Sequence, residues 1–302
     1  MPTEKTAVVA GRERARERLF WAVLALQTLG FSLRQLAHLG GFQWGSDEGI
    51  YLMRVRLMQV GYRLYADIWT DQLPGLVLLV RGAFAVLGSS PAVGRGVVVV
   101  LSALGLFSSA ALARQVSGRA GALAVVPLLG LAPNVYWLSR AIVSPDLPAT
   151  CLGAAGLAAM GRYLSTRRRL WQWISGLAFA AGLYVKATAV LPLAAAGVWL
   201  LVVLWRDVGL RPGALLRRAW PWVASLVVPL AVGLAPFDLP SLWRQFIVTQ
   251  VASGQMELKI LPHAAKMLRY LGGENLGLAF LGGVGAIVSL RRHRSALLVG
   301  GV

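Results

Sequence analysis

Long apolar runs, cut apart by short loops rich in arginine, leave this chain few folds to choose from. Several runs approach the roughly 20 residues that a helix needs to cross a bilayer, among them 94–113, 120–138 and 189–205. Hydrophobic residues make up 57% of the 302 positions and charged ones only 14%. A soluble domain of this length could not hide that much apolar surface. The runs are continuous rather than alternating, which argues against a barrel. The expectation is an all-α, polytopic transmembrane helical bundle.

The net charge of +18 raises the question of nucleic acid. The arginines answer it by their position, clustered in loops between apolar runs as in cytoplasmic loops. No nucleic-acid module or aromatic–basic interleaving accompanies them, so no such partner is expected. Cys151 stands alone in an apolar run, and His38, His263 and His293 are scattered. Neither a disulfide framework nor a cysteine or histidine metal cluster follows. The basic stretch Arg12 to Arg18 precedes the first run with no cleavage site after it, and reads as the flank of a retained span.

With residues 1–18 as a cytoplasmic basic end, the first span runs from about Leu19 to His38. A long outer loop, 39–93, follows. Inside it, Gly49 to Gly61 reads as a helix lying at the interface. Leu73 to Leu87, only about 15 residues with Arg81 in its middle, is too short and too charged to cross. Further spans are expected at Gly94 to Ala113, Ala120 to Leu138, Leu147 to Tyr163, Trp171 to Tyr184, Ala189 to Trp205 and Trp220 to Pro236. A second outer loop covers about 237–275, and Leu276 to Leu290 returns. Residues 291–302 read as the start of a further span in a truncated module. In this register Asp47, Glu48, Asp67, Asp71, Asp146, Asp238, Glu257 and Glu274 all fall outside. Acidic residues set topology only weakly, so their one-sided placement points to an active outer face.

Asp47 and Glu48 are adjacent, in a chain with 12 acidic residues against 30 basic ones. They either end a helix in a solvated loop or form a working pair at the membrane exit. Asp146, in Ser144-Pro145-Asp146-Leu147-Pro148, either caps the next helix with Pro148 in its first turn or brings a second carboxylate over the same cavity. Lys186 is the one lysine adjoining a span. It either snorkels from a helix end or offers a point charge to a phosphate. Arg140 and Arg63 are further candidate cations on that face. Carboxylates and cations over an apolar bundle suit a lipid phosphate, with a carboxylate as general base and positive charge where the leaving group develops its own.

The stretches Asp47-Glu48-Gly49-Ile50-Tyr51, Gly61-Tyr62-Arg63-Leu64-Tyr65-Ala66-Asp67 and Asp71-Gln72-Leu73-Pro74-Gly75 resemble the first outer loop of GT-C fold glycosyltransferases. The likeness is to the protein O-mannosyltransferase and aminoarabinose-transferase type, glycosyltransferase family 39. Ser144-Pro145-Asp146 is similar to that family's second acidic site, and Gly182-Leu183-Tyr184-Val185-Lys186 to its Gly-Leu…Lys segment. The chain departs from the pattern in having a single Pro74 after Leu73, and in lacking most of the family's carboxy-terminal part. The resemblance implies a GT-C-like bundle in the inner membrane with an extracytoplasmic active face. It implies a polyprenyl-phosphate sugar donor, a glycan, lipid or protein acceptor, and inversion at the anomeric carbon. Asp47 would be the catalytic carboxylate, supported by Glu48 and Asp146. Lys186 would contact the donor phosphate, and Tyr51, Tyr65 and Asp71 would line the substrate site. An Asp-x-Asp pattern is absent, so no cofactor or obligatory metal is expected, although two clustered carboxylates are able to bind a cation. A membrane transporter or lipid flippase, and an inactive scaffold related to the transferases, stand as the competing readings.

Overall fold

The computed structural model describes residues 4–40, 46–140, 145–209 and 211–252. They form an all-α polytopic bundle. Among them no strand occurs, and the sole bridge joins Leu64 to Ile68. Four stretches among the described residues are long and apolar enough to cross a membrane: Gly11–Leu36, Pro91–Gly130, Ala187–Val208 and Pro212–Leu234.

Helix α1 (Glu4–Leu36) starts earlier than expected, because the basic flank is itself helical. Helix α2 (Ser46–Gln59) and helix α3 (Gly75–Leu87) follow in the first loop. The 13 residues of α3 reach about 20 Å at 1.5 Å each, short of the roughly 30 Å hydrocarbon core. One face is buried, with Leu76, Val77, Val80 and Phe84, while the other exposes Arg81 together with Leu79, Val86 and Leu87.

Helix α4 (Pro91–Gly130) keeps the two expected arms but not the Arg114–Arg119 loop between them. The loop shrinks to Gly118, the one non-helical position inside α4, with φ 75° and ψ −165°. A side chain there would strain the backbone, which is why glycine occupies it. Leu106 and Ala110 before the break, and Ala122 and Val126 after it, share one core with Phe20, Leu24 and Phe31 of α1. Arg114 and Arg119, on either side of the break, both reach Glu17. The chain therefore reverses at Gly118 and clasps α1 with both arms. The second arm is also shorter than expected. It stops at Gly130, and Pro133 opens a separate short helix, α5 (Pro133–Leu138).

Helices α6 (Asp146–Thr166), α7 (Arg169–Val185), α8 (Val190–Val208) and α9 (Pro212–Leu234) run back and forth between the same two ends. A 3₁₀ turn, Ala187–Ala189, joins α7 to α8. At one end Arg167 and Arg218 both pair with Asp207. At the other, Lys186 meets Asp146, and the Tyr184 hydroxyl donates to the Gly233 carbonyl at 2.6 Å. Between them Met160, Phe179, Leu200, Leu204 and Trp222 form a buried core. Although expected as spans, α6 and α7 are not among the four apolar crossings. With 17 residues α7 is short, while α6 carries Asp146 and Arg162 and is largely enclosed by its neighbours. Helix α9 begins at Pro212 rather than near Trp220, so Arg217 and Arg218 are helical.

Past α9, part of the expected second outer loop is helical. Helix α10 (Leu239–Trp243) passes through a π turn, Arg244–Val248, into α11 (Thr249–Ala252). The span expected at 276–290, the final run from Ser295, and Glu257, Lys259, His263, Lys266, Glu274 and His293 lie outside the described residues.

Candidate active site

The end of the bundle opposite the Asp207 cluster holds a cavity of about 370 Å3. Four elements converge on it: the first two turns of α2, the loop around 69–72, the start of α6 and the end of α7. On α2, Asp47, Ile50, Tyr51 and Arg54 line it. Their spacing of i, i+3, i+4 and i+7 puts them on one helical face. Tyr51, Val55 and Met58 continue from that face into the core. Both acids sit in the first turn, where the helix dipole favours negative charge.

Glu48 is turned away from the cavity. Its carboxylate accepts from Arg95 Nε at 2.7 Å and Nη2 at 3.1 Å, and both side chains are buried. Arg95 Nη1 also donates to the Leu39 carbonyl. One guanidinium fork thus ties the start of α2 to α4 and to the exit of α1, which leaves Asp47 directed at the cavity.

The loop before α3 is brought in by close packing. A Cβ on Gly75 would stand 2.5 Å from the Tyr184 carbonyl oxygen, so only glycine lets the start of α3 touch the end of α7. Pro74 occupies the position before the helix. Tyr65 adopts a left-handed backbone, φ 68°, which costs a non-glycine residue energy and survives only where its surroundings hold it. Here its hydroxyl donates to the Gln72 carbonyl at 2.7 Å, and Gln245 of the π turn binds the loop from the other side. Gln245 Nε2 donates to the Tyr65 carbonyl at 2.8 Å, and its Oε1 accepts the Thr70 amide at 2.9 Å.

Asp146 lies in the first turn of α6. The preceding position is Pro145 and no side chain caps the helix, so the capping reading of Asp146 is corrected. Its carboxylate accepts from Lys186 Nζ at 2.7 Å and weakly from Thr188 Oγ1 at 3.4 Å. Arg54 Nη2 stands 3.6 Å from Asp71, and its Cζ 5.5 Å from the centre of the Tyr51 ring. Among the described residues, Asp47 is the acid of the cavity with no ion pair. The Tyr51 hydroxyl is pushed above its ordinary value, first by burial and then by Asp71, Asp47 and Asp146, with Arg54 opposing. It stays protonated and able to donate a hydrogen bond. Among the described residues no group of three or more His, Cys, Asp or Glu side chains gathers as a metal site.

Of the residues singled out in the sequence, the cavity therefore collects Asp47, Tyr51, Asp71, Asp146 and Lys186. Glu48 and Tyr65 support its walls. Arg63 is not among the lining residues; it holds Asp67 through its backbone N–H at 2.8 Å and its Nε at 3.4 Å, which keeps that carboxyl below its ordinary value. Arg140 is buried elsewhere, against the rings of Tyr136 and Trp137. Sequence reasoning missed Arg54, Arg95, Trp69 and Gln245. The i, i+7 spacing from Asp47 was a usable signal for Arg54; Arg95 and Gln245 act across long sequence separations and left none.

The family model for dolichyl-phosphate-mannose-protein mannosyltransferase matches residues 71–236. The chain belongs to that family. This family member is therefore an integral membrane glycosyltransferase. The matched stretch includes Asp71, Arg95, Asp146 and Lys186, whereas Asp47 and Glu48 lie upstream of it and owe their place in the site to geometry. No curated protein and no solved structure matches the chain.

Proposed function

We propose that this glycosyltransferase moves a sugar from a polyprenyl-phosphate donor to an acceptor hydroxyl, with inversion, at the cavity end of the bundle and on the extracytoplasmic side. The carrying observation is the division of charge in the cavity. Asp71 and Asp146 have Arg54 and Lys186 beside them, while Asp47 has no ion pair among the described residues. An unpaired carboxylate is available as a base, and nearby cations suit a phosphate.

The acceptor oxygen attacks the anomeric carbon from the face opposite the donor phosphate. Its proton passes to Asp47, the bond between that carbon and the phosphate oxygen breaks, and the electron pair leaves with the polyprenyl phosphate. Lys186 and Arg54 stabilise the charge that develops on it. Asp146 holds Lys186 in place until the donor arrives. The arginine loops lie at the other end, and positive loops stay in the cytoplasm, which supports the outer assignment of the cavity.

The test is mass spectrometry of lipid co-purifying with the protein in mild detergent, together with transfer by Asp47→Asn. A sugar-bearing polyprenyl phosphate that still co-purifies with an inactive Asp47→Asn supports the reading. Full transfer by that variant removes Asp47 as base. Bulk phospholipid alone, even after enrichment with polyprenyl phosphates, favours the transporter or scaffold readings.

A further inference from the structure

A second cavity, of about 480 Å3, opens toward the other end of the bundle. Its floor is alanine: Ala155, Ala158 and Ala159 of α6. Phe107 of α4 and Ile174 of α7 form apolar walls, and Trp21 and Trp171 stand toward the basic end. From Arg162 to Ala155 is two helical turns, about 10 Å of apolar depth. The small floor residues leave a slot between neighbouring helices, and helices in a bilayer expose such slots to lipid.

The charges at the mouth are unequal. Arg114 is paired with Glu17, Nη1 to Oε1 at 2.6 Å, and lies over the Phe20 and Trp21 rings. Gln115 is committed to the Ala158 carbonyl at 3.1 Å. Arg162, by contrast, is exposed, and among the described residues its guanidinium has no ion pair. A basic group over an apolar slot between transmembrane helices suits an anionic headgroup, and tryptophans favour the headgroup level.

We propose that this cleft binds an anionic phospholipid, its phosphate on Arg162 and one acyl chain along the alanine floor. A zwitterionic lipid fits the slot equally well but brings its own cation to Arg162, so charge complementarity selects the anionic one. The site is separate from the Asp47 cavity and holds whether or not Asp47 is the base.

The full chain, exchanged into nanodiscs with equal parts phosphatidylglycerol and phosphatidylcholine, is stripped of loose lipid and examined by native mass spectrometry. Wild type and Asp47→Asn are expected to retain phosphatidylglycerol about fivefold over phosphatidylcholine. Arg162→Gln, an exposed change, is expected to lose that preference, and Ala155→Phe to lose both lipids by filling the slot. No preference in the wild type, an unchanged preference in Arg162→Gln, or displacement of phosphatidylglycerol by polyprenyl phosphate overturns the proposal.

Discussion

The two ends of the bundle both carry acids and cations, but they use them in opposite ways. At the basic end Glu17 is shared by Arg114 and Arg119, and Asp207 by Arg167 and Arg218. These pairs tie helices together in a screened setting, where each contributes little by itself. At the cavity end, Arg54 stands beside Asp71 and Lys186 pairs with Asp146, Asp47 has no ion pair among the described residues, and Glu48 is withdrawn into a buried fork with Arg95. Surplus positive charge makes a clamp. A carboxylate facing a cavity with no ion pair among the described residues makes a candidate site.

The largest expected effect breaks this comparison at its centre. Asp47→Asn should lower the transfer rate by about 10²–10⁴, the usual contribution of a positioned base, without lowering the melting temperature. If transfer survives, the unpaired acid is not the working one. Next comes the fork. Arg95→Met should cost about 3–5 kcal/mol in thermal unfolding, since it leaves the buried Glu48 carboxylate uncompensated. Glu48→Gln combined with Arg95→Met should recover much of that loss. A double variant no more stable than Arg95→Met alone would mean that the fork is not a coupled pair.

A smaller change is expected from Lys186→Ala. Loss of one charge-assisted contact to the donor phosphate should reduce kcat/KM by about 10- to 100-fold, read as a rise in KM with lipid donor titrated at fixed acceptor. An unchanged KM would leave the cation role to Arg54. Smallest of all is Arg119→Ala at the basic end. Glu17 keeps Arg114, so transfer should stay within about twofold of wild type. A large loss there would show that the two ends are coupled and the contrast between them is false.

Much of this molecule was legible in one dimension. Continuous apolar runs with arginine between them require helices in a membrane, because backbone polar groups in hydrocarbon must be satisfied within the segment. The brevity and the central Arg81 of 73–87 already spoke against a crossing, and α3 is a helix of 13 residues with Arg81 on its exposed face. The candidate site was half legible. Asp47, Asp71, Asp146 and Lys186 stood out as rare ionisable groups at the edges of apolar runs. Helix limits were less so: a single glycine, Gly118, stands where a loop was predicted, in a positive-φ conformation that glycine adopts without steric cost.

What the sequence by itself determined is the class of the protein and the identity of most of the residues that line the candidate site. These depend on local composition and on spacing along one helix. Only the tertiary structure decided the pairing: that Glu48 is occupied by Arg95, that Lys186 reaches Asp146, that Gln245 holds the loop of Tyr65 and Thr70. Those contacts join residues tens to nearly two hundred positions apart. Nothing local distinguishes a carboxylate that will meet an arginine from one that will not. The distinction arises when helices pack and the few cations available at the cavity end are spoken for.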